Sequence, residues 1–132
     1  MKDAIAKTEF YLIQVDQVIN RAYLSFFGFC SKPAEIPNFL SDIDKACRRL
    51  NTGFTLLTDA LQLKIPPPEV AALHEKSQEL WIKGGLSWTA EVLPESVVVQ
   101  MALNRYSKTT GMKKRVFKTL SEAGAWLDDQ RL

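Results

Sequence analysis

The chain has little of what usually announces a chemistry. Its 132 residues hold one histidine and two cysteines. With no CxxC pair and no Cys/His cluster, neither a zinc site nor a disulfide framework is indicated, and Cys30 and Cys47 read as two reduced, partly buried thiols. No segment approaches the ~18 consecutive apolar residues of a membrane span. The start, Met1-Lys2-Asp3-Ala4-Ile5-Ala6-Lys7, has no apolar signal core and carries an acid early, so a cytoplasmic location is expected. The six glycines form no phosphate-cradling loop, since Gly84-Gly85 and the isolated Gly28 match neither GxGxxG nor a P-loop. The formal charge of +2 is too small to imply nucleic acid. The one basic cluster, Lys108, Lys113, Lys114, Arg115 and Lys118, spans a helix end and a strand start, where cations oppose the helix dipole. It lacks the aromatic interleaving of a nucleic-acid surface. The lone His74 has no Cys, Ser or carboxylate partner implied by the pattern, so it reads as a surface residue rather than a general base.

What the sequence does contain is an ordered series of short elements. With 46% hydrophobic and 24% charged residues, a chain of this length fits one soluble domain, residues 1–132, that buries about two-thirds of its unfolded surface. Phe10 to Val15 and Arg21 to Phe29 read as a hairpin, the second run apolar on both faces, as in a strand covered on both sides. Ile36, Phe39, Leu40, Ile43, Cys47 and Leu50 then form one helical stripe that ends near Asn51-Thr52-Gly53. Phe54 to Leu61 is a third strand, reached by a crossover long enough to be parallel. Pro68 opens a second helix, with Val70, Leu73, Ser77, Leu80 and Trp81 on one face and a stop at Gly84-Gly85. Leu86 to Leu93 is a fourth strand, alternating Trp88, Ala90 and Val92 with Ser87, Thr89 and Glu91. A third helix, about Glu95 to Thr110, ends at Gly111. A fifth strand from Lys113 and a short helix with Ser121 as its N-cap complete the chain. The expectation is a single-domain α/β fold: a mixed, mostly parallel five-stranded sheet with helices on both faces.

This element order, together with Lys118-Thr119-Leu120-Ser121-Glu122-Ala123-Gly124-Ala125-Trp126-Leu127, resembles bacterial SpoIIAA-like proteins, relatives of STAS domains and anti-sigma-factor antagonists. The resemblance runs from about Phe10 to Leu127. It implies one antiparallel strand in an otherwise parallel sheet, and a binding rather than catalytic role. Antagonists of this type dock a partner kinase and are switched by phosphorylation of a serine that follows an Asp, after the third strand and at the start of the next helix. A helix N-terminus suits an added phosphate. The corresponding stretch here, Asp59 to Glu69, has the Asp but no following Ser or Thr, so the phosphoacceptor is missing. Lipid-carrying domains share the architecture but need a large apolar pocket.

The expected function is therefore a small non-catalytic interaction or regulatory domain with no cofactor, metal or catalytic residue. Its partner is another protein or a second copy, without nucleic acid or a membrane span. The alternative is a module for a small or apolar ligand, lipid included. Asp59 and Lys64, at and after the end of the third strand, are candidate binding residues, because ligands of open α/β sheets bind at the carboxyl ends of strands. The aromatic set Tyr23, Phe26, Phe27, Phe29, Trp81, Trp88 and Trp126 reads as core. Val97, Val98, Val99, Met101, Ala102, Leu103 and Tyr106 spread over more than one face of the third helix, and a sheet-packed helix buries only a stripe. Val99 and Leu103 are the candidates for a partner-facing side, unless a neighbouring helix covers them.

Overall fold

The computed structural model describes residues 1–130. Six strands, β1 (Asp3–Lys7), β2 (Tyr11–Asp16), β3 (Arg21–Gly28), β4 (Thr55–Leu63), β5 (Thr89–Val92) and β6 (Lys114–Phe117), alternate after β3 with four helices, α1 (Phe39–Arg48), α2 (Pro68–Lys83), α3 (Val97–Thr110) and α4 (Leu120–Asp129). The strands lie side by side in chain order. β1, β2 and β3 form an antiparallel meander, and β3 to β6 are parallel. The fold is thus mixed α/β around a mostly parallel sheet, with six strands where five were expected. The missed strand is β1, Asp-Ala-Ile-Ala-Lys, a mostly exposed edge. Alanine and charge are poor strand formers, and an edge needs no apolar alternation to exist.

Three successive crossovers in one direction along the sheet put α1, α2 and α3 on one face, where neighbours pack on each other. The large core lies here: Ile13, Val15, Leu24, Phe26 and Leu56 from the sheet meet Phe39, Ile43, Val70, Trp81 and Leu103 from the helices. α4 alone covers the other face, over β4, β5 and β6, where Ala123 and Leu127 meet Leu57, Ala90 and Val92. All four residues of β5 are buried, as expected of a strand covered on both sides. β3 is not such a strand. Ala22, Leu24 and Phe26 are buried, but Tyr23, Ser25 and Phe27 are only half-buried because no helix lies over the second face of β1 to β3. Phe29, placed in the core by the sequence reading, is exposed just beyond the strand.

Local signals set the element ends. The Ser96 hydroxyl accepts from the Val99 amide at the start of α3, and Gly111, with φ of +79°, closes it. The cap of α4 is Thr119 rather than Ser121. The Thr119 hydroxyl accepts from the Glu122 amide at 3.2 Å and donates to the Glu122 carboxylate at 3.0 Å, the Thr-x-x-Glu arrangement of a capping box. α1 stops at Arg48, and Gly53 (φ +94°) turns the chain into β4. There its amide donates to the Gly85 carbonyl at 2.7 Å. Gly85 itself sits at φ +111°, and a Cβ added to it would lie 2.9 Å from the Thr52 Cα. Gly85→Ala should therefore cost about 1–3 kcal/mol in chemical denaturation, since both its backbone and its neighbour must give.

Candidate functional site

A seam of polar groups is buried between the sheet and the α2–α3 pair. The Lys114 ammonium donates to Glu91 Oε1 at 2.7 Å and to the Leu103 carbonyl at 3.2 Å, with both side chains nearly inaccessible. Beside them, Thr58, His74, Gln78 and Trp81 line a small cavity of about 20 Å³. That is room for about one water molecule. His74 is 6% exposed, not a surface residue. Its ring lies 5.7 Å from that of Tyr106 at an interplanar angle of 19° and 5.0 Å from Phe26. Burial pushes its pKa down to about 4, so it is neutral at physiological pH. The docking of α3 against a second side of α2 closes over His74, and the stripe of α2 alone does not reveal that.

The basic cluster is divided by strand alternation. Lys114 turns inward to Glu91, a buried partner that the sequence reading did not pair with it. On the α4 side, Lys113 lies 5.7 Å from the Trp88 ring and Arg115 5.8 Å from that of Trp126. The two tryptophans meet edge to face at 5.5 Å, so these cations rest on aromatic rings.

Asp59 and Lys64 line different cavities. Asp59, half-buried on β4, accepts from the Leu61 amide at 3.1 Å, where the register with β3 slips. It borders an open groove of about 370 Å³ on the uncovered sheet face beside α4, with Lys2, Tyr23, Ser25 and Ser121. Lys2 sits 4.1 Å over the Tyr23 ring. Arg21, deep in this groove, is held by the Thr55 hydroxyl and by Asp128 at 2.9 Å. Lys64 is exposed and borders a second small cavity of about 20 Å³, walled by Phe26, Phe39 and His74.

The third helix supplies an exposed apolar surface, though not through the expected residues. Val99 and Leu103 are 3% and 2% exposed and pack in the chain's own core. The opposite side carries Val97, Val98 and Met101, exposed at 64%, 61% and 63%. Arg105, one turn after Met101, borders an open groove of about 330 Å³ whose other walls include Ile65 and Pro66 of the β4–α2 connection and Pro68, Ala72 and Glu75 of α2. Ile65 is itself 40% exposed. All of this lies toward the carboxyl ends of the parallel strands, which precede both the β4–α2 connection and α3.

No family model, no curated protein and no solved structure matches the chain. Among the described residues, no group of three or more His, Cys, Asp or Glu is arranged to hold a metal ion, and no helix is long and apolar enough to cross a membrane.

Two measurements check the seam. Because His74 is depressed when folded, the unfolded chain takes up a proton between pH ~6.5 and ~4 that the folded chain refuses. Stability should be full above that window and fall as pH drops through it, by roughly 3 kcal/mol from this group. Equilibrium unfolding of His74→Phe should show that part of the pH dependence removed. Lys114→Met, which leaves Glu91 buried without its cation, should cost about 3–5 kcal/mol. Removing both charges in Glu91→Leu/Lys114→Met should recover most of that loss.

Proposed function

We propose that this chain is a small interaction domain with no chemistry of its own, binding a protein through the outer side of α3 and the adjoining groove at the β4–α2 connection. The observation that carries the reading is the exposure of Val97, Val98 and Met101 on a helix whose other side is already core. Single exposed apolar residues are ordinary, but three on one helix side, near a groove that Ile65 and Pro68 share with Glu75 and Arg105, mark a contact surface. A regulatory role of SpoIIAA-like kind is compatible with this surface, in a form that no phosphate switches. From Ala60 to Pro68 the chain has no hydroxyl side chain, and Thr58 is buried within β4.

The ligand-binding alternative draws its support from the groove at Asp59. Its volume suits a small molecule, and its lining of Lys2, Tyr23, Ser25 and Asp59 suits a polar one. A lipid chain is the poorer fit, because each of the two small cavities at the helix face has room for about one water.

Affinity capture with immobilised protein separates the readings. Val98→Glu/Met101→Glu should leave stability within about 0.5 kcal/mol of wild type, since both sites are solvated. It should also abolish retention of a protein that the wild type and Asp59→Asn both hold. Retention lost with Asp59→Asn and kept with the α3 variant would contradict the proposal.

A further inference from the structure

We propose that the partner fitted by this face is a second copy of the chain, packed α3 against α3 about a two-fold axis with the helices antiparallel. The inference rests on the interaction-domain reading and names its occupant. On a helical projection Val97, Val98, Met101, Arg105 and Lys108 fall along one outward stripe, opposite the buried Val99, Leu103 and Tyr106. The stripe is polarised. Glu95 stands just ahead of the N-cap Ser96, the middle is apolar, and Arg105 and Lys108 occupy the second half; α3 itself contains no acid. Glu95 and Arg105 are exposed, and among the described residues neither has an ion-pair partner within its own chain.

An isologous contact must be complementary to itself. A two-fold axis crossing α3 midway between Val98 and Met101 sets Val98 of each copy against Met101 of the other. The same axis brings the N-terminal end of one α3, which Glu95 precedes, toward the half of the other that carries Arg105 and Lys108. Apolar centre and charged rim are then satisfied by one operation, and the rim pairs form twice. A parallel arrangement would oppose Arg105 to Arg105 and leave Glu95 unpaired. The apolar patch is small beside the ~800 Å² per partner of a stable complex, so the dimer belongs to the weak, reversible class.

Sedimentation equilibrium over about a hundredfold range of concentration tests this, with the chain as it stands. Wild type should shift from monomer to dimer, and Val98→Glu/Met101→Glu should remain monomeric throughout while keeping its melting temperature. Glu95→Arg alone and Arg105→Glu alone should each weaken association about three- to tenfold, because the rim pair occurs twice. The double reversal Glu95→Arg/Arg105→Glu should restore it. A wild type that stays monomeric, a dimer that survives the α3 double variant, or reversals that fail to compensate would overturn the antiparallel pairing. If wild type is monomeric while α3-dependent capture of another protein persists, self-pairing falls and the interaction-domain reading stands. If the captured protein ignores α3, that reading falls with it.

Discussion

The buried contact of Lys114 with Glu91 and the Leu103 carbonyl decides how α3 lies on the sheet. Lys114 comes from β6, Glu91 from β5 and Leu103 from α3, so one ammonium group ties three elements at 2.7 and 3.2 Å. Two charges taken out of water are expensive, and such a pair contributes little net stability compared with an apolar substitute. Its consequence is orientation. Over its first two turns α3 is apolar on both sides, with Val97, Val98 and Met101 opposite Val99, Ala102 and Leu103; beyond them the outer side carries Arg105 and Lys108 and the inner side Tyr106. The Leu103 carbonyl that faces Lys114, the buried Tyr106 and the outer charges of Arg105 and Lys108 all favour the second set. The outward display of Val97, Val98 and Met101 follows from that selection.

This explains what the sequence could and could not reveal. Elements with one dominant apolar stripe or alternation were legible: α1 through Phe39 and Ile43, α2 between Pro68 and Lys83, β5 through Ala90 and Val92, the stop of α3 at Gly111. Periodicity identifies a buried side only when the other side is polar. Over the first two turns of α3 it is not, and there the choice between Val99/Leu103 and Val97/Val98/Met101 is seen only with the packing in hand, including a contact from a strand eleven residues further along the chain. His74 failed for a related reason, since α3 closes over the flank of α2 that carries it. Lys114 was read with its basic neighbours because sequence proximity hides the alternation that turns Lys114 inward and Arg115 outward. β1, short, exposed and alanine-containing, left no apolar signature at all.

The two faces of the sheet divide the molecule's surface. The crossover helices α1, α2 and α3 lie over one face, while α4 covers only the β4–β6 half of the other. The uncovered half carries an open groove in which Gln14, Ser25 and Asp59 lie beside Tyr23, Leu57 and Leu120. The apolar surplus sits instead on α3 and the Ile65 turn, where exposure is costly and a partner relieves it.

Thiol reactivity reads the orientation of α3 directly. With Cys30 and Cys47 replaced by Ser and Ala, single substitutions Val98→Cys, Met101→Cys and Leu103→Cys, assayed at high dilution with a maleimide reagent, report which side of the helix meets water. The account predicts that the first two react at the rate of an unfolded thiol while Leu103→Cys is protected by orders of magnitude, and that adding Lys114→Met erodes this protection. Equal reactivity at positions 98 and 103 in the otherwise intact chain would contradict it.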